Sequence, residues 1–380
     1  MRILLIHQFL WSHYKAGIFK ELETLFQSNP GDALHIIQTA KYEKSRLDFG
    51  EADTSIHTYN YELLYDGIYE DTSILFRIKK VFSRIRTFKP TIVTLPGYYD
   101  PAMVFIHFLC KIMGIKVILS IDSTESDNPN IWYAELIKKF IVFFTDGFFC
   151  YGTKSGNYMK KLGAPESKIL LRRNSVNNDF VEKVHSNYKS SVEYDIERKQ
   201  YPKYNFIFVG RFLELKNLHR IIQSFASLKN GEDWGLILVG DGPEKKPILK
   251  QYEKTERLSF IPAQEWHEVP KRLALADILI LASTSEAWGL VANEAMLSIM
   301  PIIISDQSGC SLDLVKNNVN GFTFDAYDEE KLKSNMQFFV NHPEKIESFG
   351  MASKKIIADF SPENVAQEMF KGYQKSDKTP

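Results

Sequence analysis

Ile278-Leu279-Ile280-Leu281-Ala282-Ser283-Thr284-Ser285-Glu286-Ala287-Trp288-Gly289-Leu290-Val291-Ala292-Asn293-Glu294 passes from four consecutive apolar residues through a short polar loop into a second apolar-patterned segment. An unbroken apolar run of this length suits a strand buried on both faces, the mark of a parallel sheet covered by helices. A helix is expected from near Gly289 to about Ile299. Glu286 then lies in the loop and Glu294 in the second turn, so the two carboxylates do not stack on one helical face. The first N–H groups of a helix have no intrahelical acceptor. The Gly289, Leu290 and Val291 backbone is therefore a candidate for holding an anion. Taken singly, each glutamate has an ordinary reading, Glu286 as a helix-start carboxylate and Glu294 as a solvated surface group.

Working outward, apolar runs of strand length recur at 3–7, 35–38, 91–95, 117–121, 148–151 and 169–171, then at 206–209, 236–239, 258–261, 278–281 and 302–305. Helical patterns separate most of them. Strands alternating with helices imply parallel sheets with both faces covered, and the pattern occurs twice. The expected fold is α/β, with two doubly wound Rossmann-like domains. Residues 1–182 would form the first domain, 183–203 a polar linker and 204–360 the second domain. The tail begins a helix at Ser361-Pro362-Glu363, with Pro suited to the first helical position. Val365, Met369 and Phe370 give it an apolar face, and 361–377 is expected to pack back on the first domain.

The 380 residues suffice for two cores, and 44% of them are hydrophobic, which excludes a disordered chain. The 47 basic and 47 acidic residues cancel, which argues against a nucleic-acid partner. Cys110, Cys150 and Cys310 are too scattered to build a metal or redox spacing, and a reducing compartment is expected. No apolar stretch reaches the roughly 18–20 residues that span a bilayer. Met1–His7 is too short to be a signal-peptide core. A cytoplasmic protein, peripheral to the inner membrane face, is the expectation.

In open parallel sheets, ligands bind beyond the carboxyl ends of the strands, so the loops after other strands matter too. Val209-Gly210-Arg211-Phe212-Leu213-Glu214-Leu215-Lys216-Asn217 follows one strand. Leu218, Ile221, Ile222, Phe225 and Leu228 then recur at helical spacing. Arg211 offers a planar fork for phosphate oxygens and Lys216 a mobile point charge, so the loop suits a diphosphate. Both could equally be ordinary surface cations. Val239-Gly240-Asp241-Gly242-Pro243 is most simply a tight turn, and it lacks the third glycine of a dinucleotide fingerprint.

The order Gly-Arg-x4-Lys, Gly-Asp-Gly-Pro, Glu-x7-Glu and Ser305-Asp306-Gln307-Ser308-Gly309, with Asn320-Gly321-Phe322 after it, resembles glycosyltransferase family 4. The similarity covers roughly 205–328. It implies the GT-B fold, with two domains facing across a cleft, and a retaining glycosyltransferase. The resemblance implies that Arg211 and Lys216 bind the donor diphosphate. It likewise assigns Glu286 to the donor sugar as the catalytic contact, Glu294 to the ribose hydroxyls, and the Gly289, Leu290 and Val291 backbone to phosphate or sugar. Ile261 and Pro262 would lie beside the base.

A nucleotide-diphosphate sugar is the co-substrate so implied, with no cofactor and no metal. A glycan or lipid-linked acceptor would receive the sugar, in surface polysaccharide or glycoconjugate synthesis. No protein nucleophile is assigned; the leaving phosphate would take the acceptor proton. A sugar-nucleotide epimerase and a silent nucleotide-sugar-binding subunit are the alternatives.

The first domain departs from the family pattern twice. The loop Trp11-Ser12-His13-Tyr14-Lys15-Ala16-Gly17 has one glycine where relatives carry two, and Gly17 is expected either to permit close donor approach or simply to start a helix. Asp122, in Ile121-Asp122-Ser123-Thr124-Glu125, stands where relatives place a histidine. It is a second catalytic candidate, with helix capping as the competing role. Finally, 73–89 is a basic amphipathic helix whose cations would meet an anionic membrane, or simply water.

Overall fold

The runs of β-branched and aromatic residues become thirteen strands in the computed structural model, which describes residues 1–45, 52–127 and 131–378. The chain divides into two compact units, residues 1–175 with 362–380, and residues 176–361.

The first unit holds β1 (Arg2–Phe9), β2 (Ala33–Ala40), β3 (Tyr61–Leu63), β4 (Ile92–Leu95), β5 (Lys116–Ile121), β6 (Gly147–Cys150) and β7 (Ile169–Arg172). They form one sheet in the order β3-β2-β1-β4-β5-β6-β7, with every pairing parallel. Side chains alternate across a strand, and the alternation builds two cores. Val93, Val117, Leu119 and Phe148 pack under helices Ile74–Phe88, Pro101–Ile112 and Trp132–Phe144. Ile92, Ile118 and Phe149 pack on the other side with residues of helices His13–Gln27 and Pro362–Lys378. Val365, Met369 and Phe370 of the tail helix are buried there, and Tyr373 shares a 2.8 Å hydrogen bond with Thr94.

The second unit holds β8 (Tyr204–Val209), β9 (Trp234–Val239), β10 (Leu258–Ile261), β11 (Ile278–Leu281), β12 (Ile302–Ser305) and β13 (Gly321–Phe324). The sheet order is β10-β9-β8-β11-β12-β13, again all parallel. One large core surrounds it, with Phe206, Ile280 and Ile303 fully buried. In each unit the order reverses direction beside the first strand, at β1/β4 and at β8/β11. Those are the topological switch points where open α/β sheets leave a crevice.

The polar stretch 183–203, expected to be a linker, is not one. It carries most of helix Asn178–Lys189 and all of helix Val192–Arg198, both belonging to the second unit. Both helices are capped by side chains: Asn177, just before the stretch, accepts from the Phe180 N–H, and Ser191, within it, accepts from the Tyr194 N–H. Val181 and Tyr188 bury into the second core. The boundary between the units therefore falls at Ser175/Val176. The three cysteines are buried, and no disulfide joins them among the described residues. No helix among the described residues is long and apolar enough to cross a membrane.

Candidate functional site

The loops after β8 and β11 meet at the switch point of the second unit. β8 ends at Val209, and a short 3₁₀ turn, Glu214–Lys216, follows. Asn217 then adopts a left-handed conformation, φ 59°, and opens helix Leu218–Ala226. Its side-chain amide donates to the carbonyls of Ala282, at 3.2 Å, and Ala326, at 2.9 Å. The Thr284 N–H donates to the Leu215 carbonyl at 2.8 Å. These bonds bring Lys216 onto Glu286, whose carboxylate accepts directly from the ammonium. Both side chains are mostly buried, with 15% and 20% of their surface exposed. The Ser283 hydroxyl adds a contact to the same carboxylate oxygen at 3.5 Å.

A third loop braces Glu286 from behind. The Gly309 N–H donates to the Glu286 carbonyl at 2.8 Å, and the Cys310 N–H to Trp288 at 3.2 Å. A Cβ on Gly309 would lie 1.8 Å from the Ala287 oxygen, so only glycine lets the Ser305–Gly309 segment come this close. Gly240 and Gly242 serve loop packing in the same way. A Cβ on Gly240 would meet the Gly210 carbonyl at 1.9 Å, and one on Gly242 the Phe212 carbonyl at 2.5 Å. The Gly-Asp-Gly-Pro turn thus fits against the loop that carries Arg211.

Gly289, with φ 93°, caps helix Leu290–Leu297. The helix start leaves the Gly289, Leu290 and Val291 N–H groups without intrahelical acceptors beside Glu286. Glu294, one turn on, has neither a side-chain hydrogen bond nor an ion pair among the described residues. Burial alone pushes its carboxyl up to about 8. A carboxyl without a protein partner is suited to hydroxyl groups of a ligand, which can both donate and accept. Ile261 and Pro262 lie at the carboxyl end of edge strand β10, where the Ile261 carbonyl accepts from the Gly240 N–H. Arg211, Lys216, Glu286, Glu294 and the helix start therefore share one end of one sheet.

Asp122 and Gly17 belong to the first unit. Asp122 follows β5 at the β1/β4/β5 end, facing a cavity of about 130 Å³ lined also by His7, Lys15, Tyr99 and Tyr151. Its carboxyl is open to solvent but crowded by protein, and that crowding raises its pKa against the pull of Lys15. The expectation for Gly17 does not hold. It lies inside helix His13–Gln27, where a Cβ would meet the Pro362 ring at 3.3 Å. Its small size serves the packing of the tail helix, not the approach of a ligand.

Sequence reading missed Lys15. Only 5% exposed, it presents its ammonium to the Tyr151 ring at 3.1 Å, and among the described residues its Nζ has no hydrogen-bond partner. Burial depresses its pKa to about 7, with Asp122 opposing. His7 is held neutral by burial, its pKa lowered to about 4. His7 Nδ1 meets Oε1 of the Gln38 side chain at 2.9 Å, and the Gln38 Nε2 donates to the Tyr59 hydroxyl. With the Gln38 amide so oriented, Nδ1 carries the proton and Nε2 is the acceptor.

A model of the glycosyl transferases group 1 family matches residues 193–356. An N-acetyl-alpha-D-glucosaminyl L-malate synthase of Bacillus anthracis is 36% identical over 100 residues, 26% of this chain and 26% of that protein. A D-inositol 3-phosphate glycosyltransferase of Segniliparus rotundus is 25% identical over 175 residues, 44% of this chain and 39% of the other. The chain thus spans well under half the length of these two curated relatives. In fold, the chain is similar to Anabaena HepE in complex with UDP and glucose, with a TM-score of 0.73 at 15% identity over 99% of this chain and 100% of that one. The match falls on the unit that carries the Lys216–Glu286 loops, and the fold likeness runs the length of both units. Residues 193–356 thus resemble the group 1 glycosyl transferases, glycosyltransferase family 4, and the chain as a whole has the GT-B fold.

Proposed function

We propose that the protein transfers a sugar from a nucleoside-diphosphate sugar to a hydroxyl of a glycan or glycolipid acceptor, with retention of anomeric configuration. The observation that carries this reading is the Lys216–Glu286 contact at the β8/β11 switch point, beside the start of helix Leu290–Leu297. Lys216, Arg211 and the Gly289–Val291 N–H groups would hold the diphosphate. As the glycosidic bond breaks, negative charge grows on the leaving phosphate. Donors already fixed around it would stabilise that charge without reorganising. In the free protein Glu286 keeps the Lys216 charge compensated. The bound diphosphate would compete for the ammonium and free the carboxylate for hydroxyls of the donor sugar.

Glu294 would accept from the ribose hydroxyls, and Ile261 and Pro262 would flank the base. HepE was crystallised with UDP and glucose, which supports a uridine diphosphate donor here. No protein nucleophile is invoked; the departing phosphate oxygen would accept the proton of the attacking hydroxyl. Asp122 would contact the transferred sugar or the acceptor. Synthesis of a surface polysaccharide or glycoconjugate is the process this chemistry would serve.

A thermal-shift screen of nucleoside diphosphates and nucleotide sugars tests the reading. A ligand that binds only the folded state raises the melting temperature according to its affinity. UDP and UDP-sugars should raise it, and the shift should vanish in Lys216→Ala. No shift with any nucleotide would refute the assignment. Release of an epimerised nucleotide sugar without an acceptor would favour an epimerase instead.

A further inference from the structure

Helix Trp132–Phe144 carries a large apolar face outward, besides the apolar residues it buries in the core. Trp132, Tyr133, Leu136, Ile137, Phe140 and Phe143 are each more than half exposed, Trp132 and Phe143 at 74%. Their spacing follows the helical period, so they share one outward face. Ile141 and Val142 are turned inward to the core, and with them Lys138, only 8% exposed. Its ammonium donates to the Tyr158 hydroxyl at 2.9 Å and approaches Glu135 at 3.4 Å, while Tyr158 donates to Glu135 at 2.7 Å. A buried lysine and an exposed aromatic stripe on one helix cost stability in water. The arrangement makes sense if the stripe meets an apolar phase.

The stripe continues onto helix Pro101–Ile112. Phe108 packs its ring against Phe140 and Phe144, with centroids 5.5 and 6.0 Å apart. Beyond it, Phe105, Ile112 and Met113 are also exposed, Ile112 at 84%. Exposed large apolar side chains gathered on neighbouring helices in this way mark an interaction surface.

Charge selects the partner. Helix Ile74–Phe88 packs against helix Pro101–Ile112. The three helices contain a single acidic residue, Glu135, which is turned to Lys138 and Tyr158. Of their cations, Arg77 is spent on Asp100, Arg84 on Glu62 and Lys111 on Asp146. Lys79, Arg86 and Lys139 are exposed, as is Lys89 just beyond the first helix. Trp and Tyr at a stripe's edge, an aliphatic and aromatic centre and a basic surround match the interface of an anionic bilayer. At thirteen residues the helix is about 20 Å long, which suits lying in the headgroup region and not spanning it.

We infer that helices Trp132–Phe144 and Pro101–Ile112 form a docking surface for an anionic phospholipid bilayer, with helix Ile74–Phe88 supplying flanking charge. The basic helix read from the sequence is thus the margin of the surface, and the aromatic stripe is its centre. This inference does not depend on the donor site, because vesicle binding is measured without nucleotide.

The test is flotation of the full chain with phosphatidylcholine vesicles, with and without phosphatidylglycerol. Binding is expected, stronger with phosphatidylglycerol. The pair Trp132→Ser with Phe143→Ser removes exposed side chains only and should weaken it at least about tenfold. The independent pair Ile112→Ser with Leu136→Ser should act alike, with circular dichroism confirming that both variants fold. Lys79→Glu with Arg86→Glu should remove the preference for phosphatidylglycerol while leaving the residual binding to phosphatidylcholine. No vesicle binding by the parent, or binding unchanged in both serine pairs, overturns the inference. So does light scattering that finds a lipid-free dimer which the serine pairs dissociate, since the stripe would then be an interface between copies.

Discussion

Lys216 and Glu286, seventy residues apart in sequence, form a direct ion pair that ties the loop after β8 to the loop after β11. If the pair acts as one unit on the donor, its two members should not contribute independently. Lys216→Ala and Glu286→Ala should each lower transfer by roughly 10²–10³-fold, the size expected for loss of one preorganised charge-stabilising group. The double variant should lose much less than the product of the two. A double-mutant cycle on the transfer rate, with melting temperatures as a fold control, measures this. Strictly multiplicative losses would separate the two roles.

Glu294 predicts a pH dependence of stability. Burial raises its folded-state carboxyl to about 8 from an ordinary 4.5. Between those values the folded chain keeps a proton that the unfolded chain releases. This contribution therefore makes stability fall as pH rises from about 5 to 8, and the loss is complete above that window. Glu294→Gln removes it. Denaturant unfolding should find the variant close to the parent near pH 5 and more stable than it above about pH 8. Parallel stability curves would contradict the buried carboxyl.

Lys15 gives the opposite dependence. Its folded-state amine is depressed to about 7 from 10.5, so the folded chain binds a proton less readily than the unfolded one. The cost of the buried charge is full below pH 7 and fades as pH rises toward 10.5. Lys15→Met should therefore be more stable than the parent, most clearly below neutrality, with the gap closing in alkali. Urea denaturation at several pH values checks it, and a gap that widens with pH would be the contrary result.

Gly240 tests the bracing of the Arg211 loop. With φ at 150° and a Cβ position 1.9 Å from the Gly210 carbonyl, alanine must push two loops apart. Gly240→Ala should cost at least roughly 1–3 kcal/mol, in the range of overpacking, and should weaken nucleotide binding as well. A variant as stable as the parent, by chemical denaturation, would show that the loops are not in this contact.

The strands of four to eight consecutive largely apolar residues, such as Ile278–Leu281 and Ile302–Ser305, were legible because burial on both faces demands that composition. Edge strand Tyr61–Leu63 was not. It has three residues, with Glu62 at its centre pairing Arg84, and only β2 beside it. Helices Asn178–Lys189 and Val192–Arg198 read as a linker because capping and linker residues share a vocabulary. The positions of the glutamates, Arg211 and Lys216 after β11 and β8 were legible from the strand and loop pattern, while the roles proposed for them came from the family resemblance. Lys15 was not, since its burial depends on Tyr151, far along the chain. The outward face of Trp132–Phe144 was equally hidden, because an amphipathic pattern does not say which face turns to the core.

Isothermal titration of the protein with UDP tests the central claim most directly. Saturable binding at one site, weakened at least about tenfold in both Lys216→Ala and Glu294→Ala, is the predicted result. UDP binding that survives unchanged in both variants, or no binding to the parent protein, would contradict a donor site at the β8/β11 switch point.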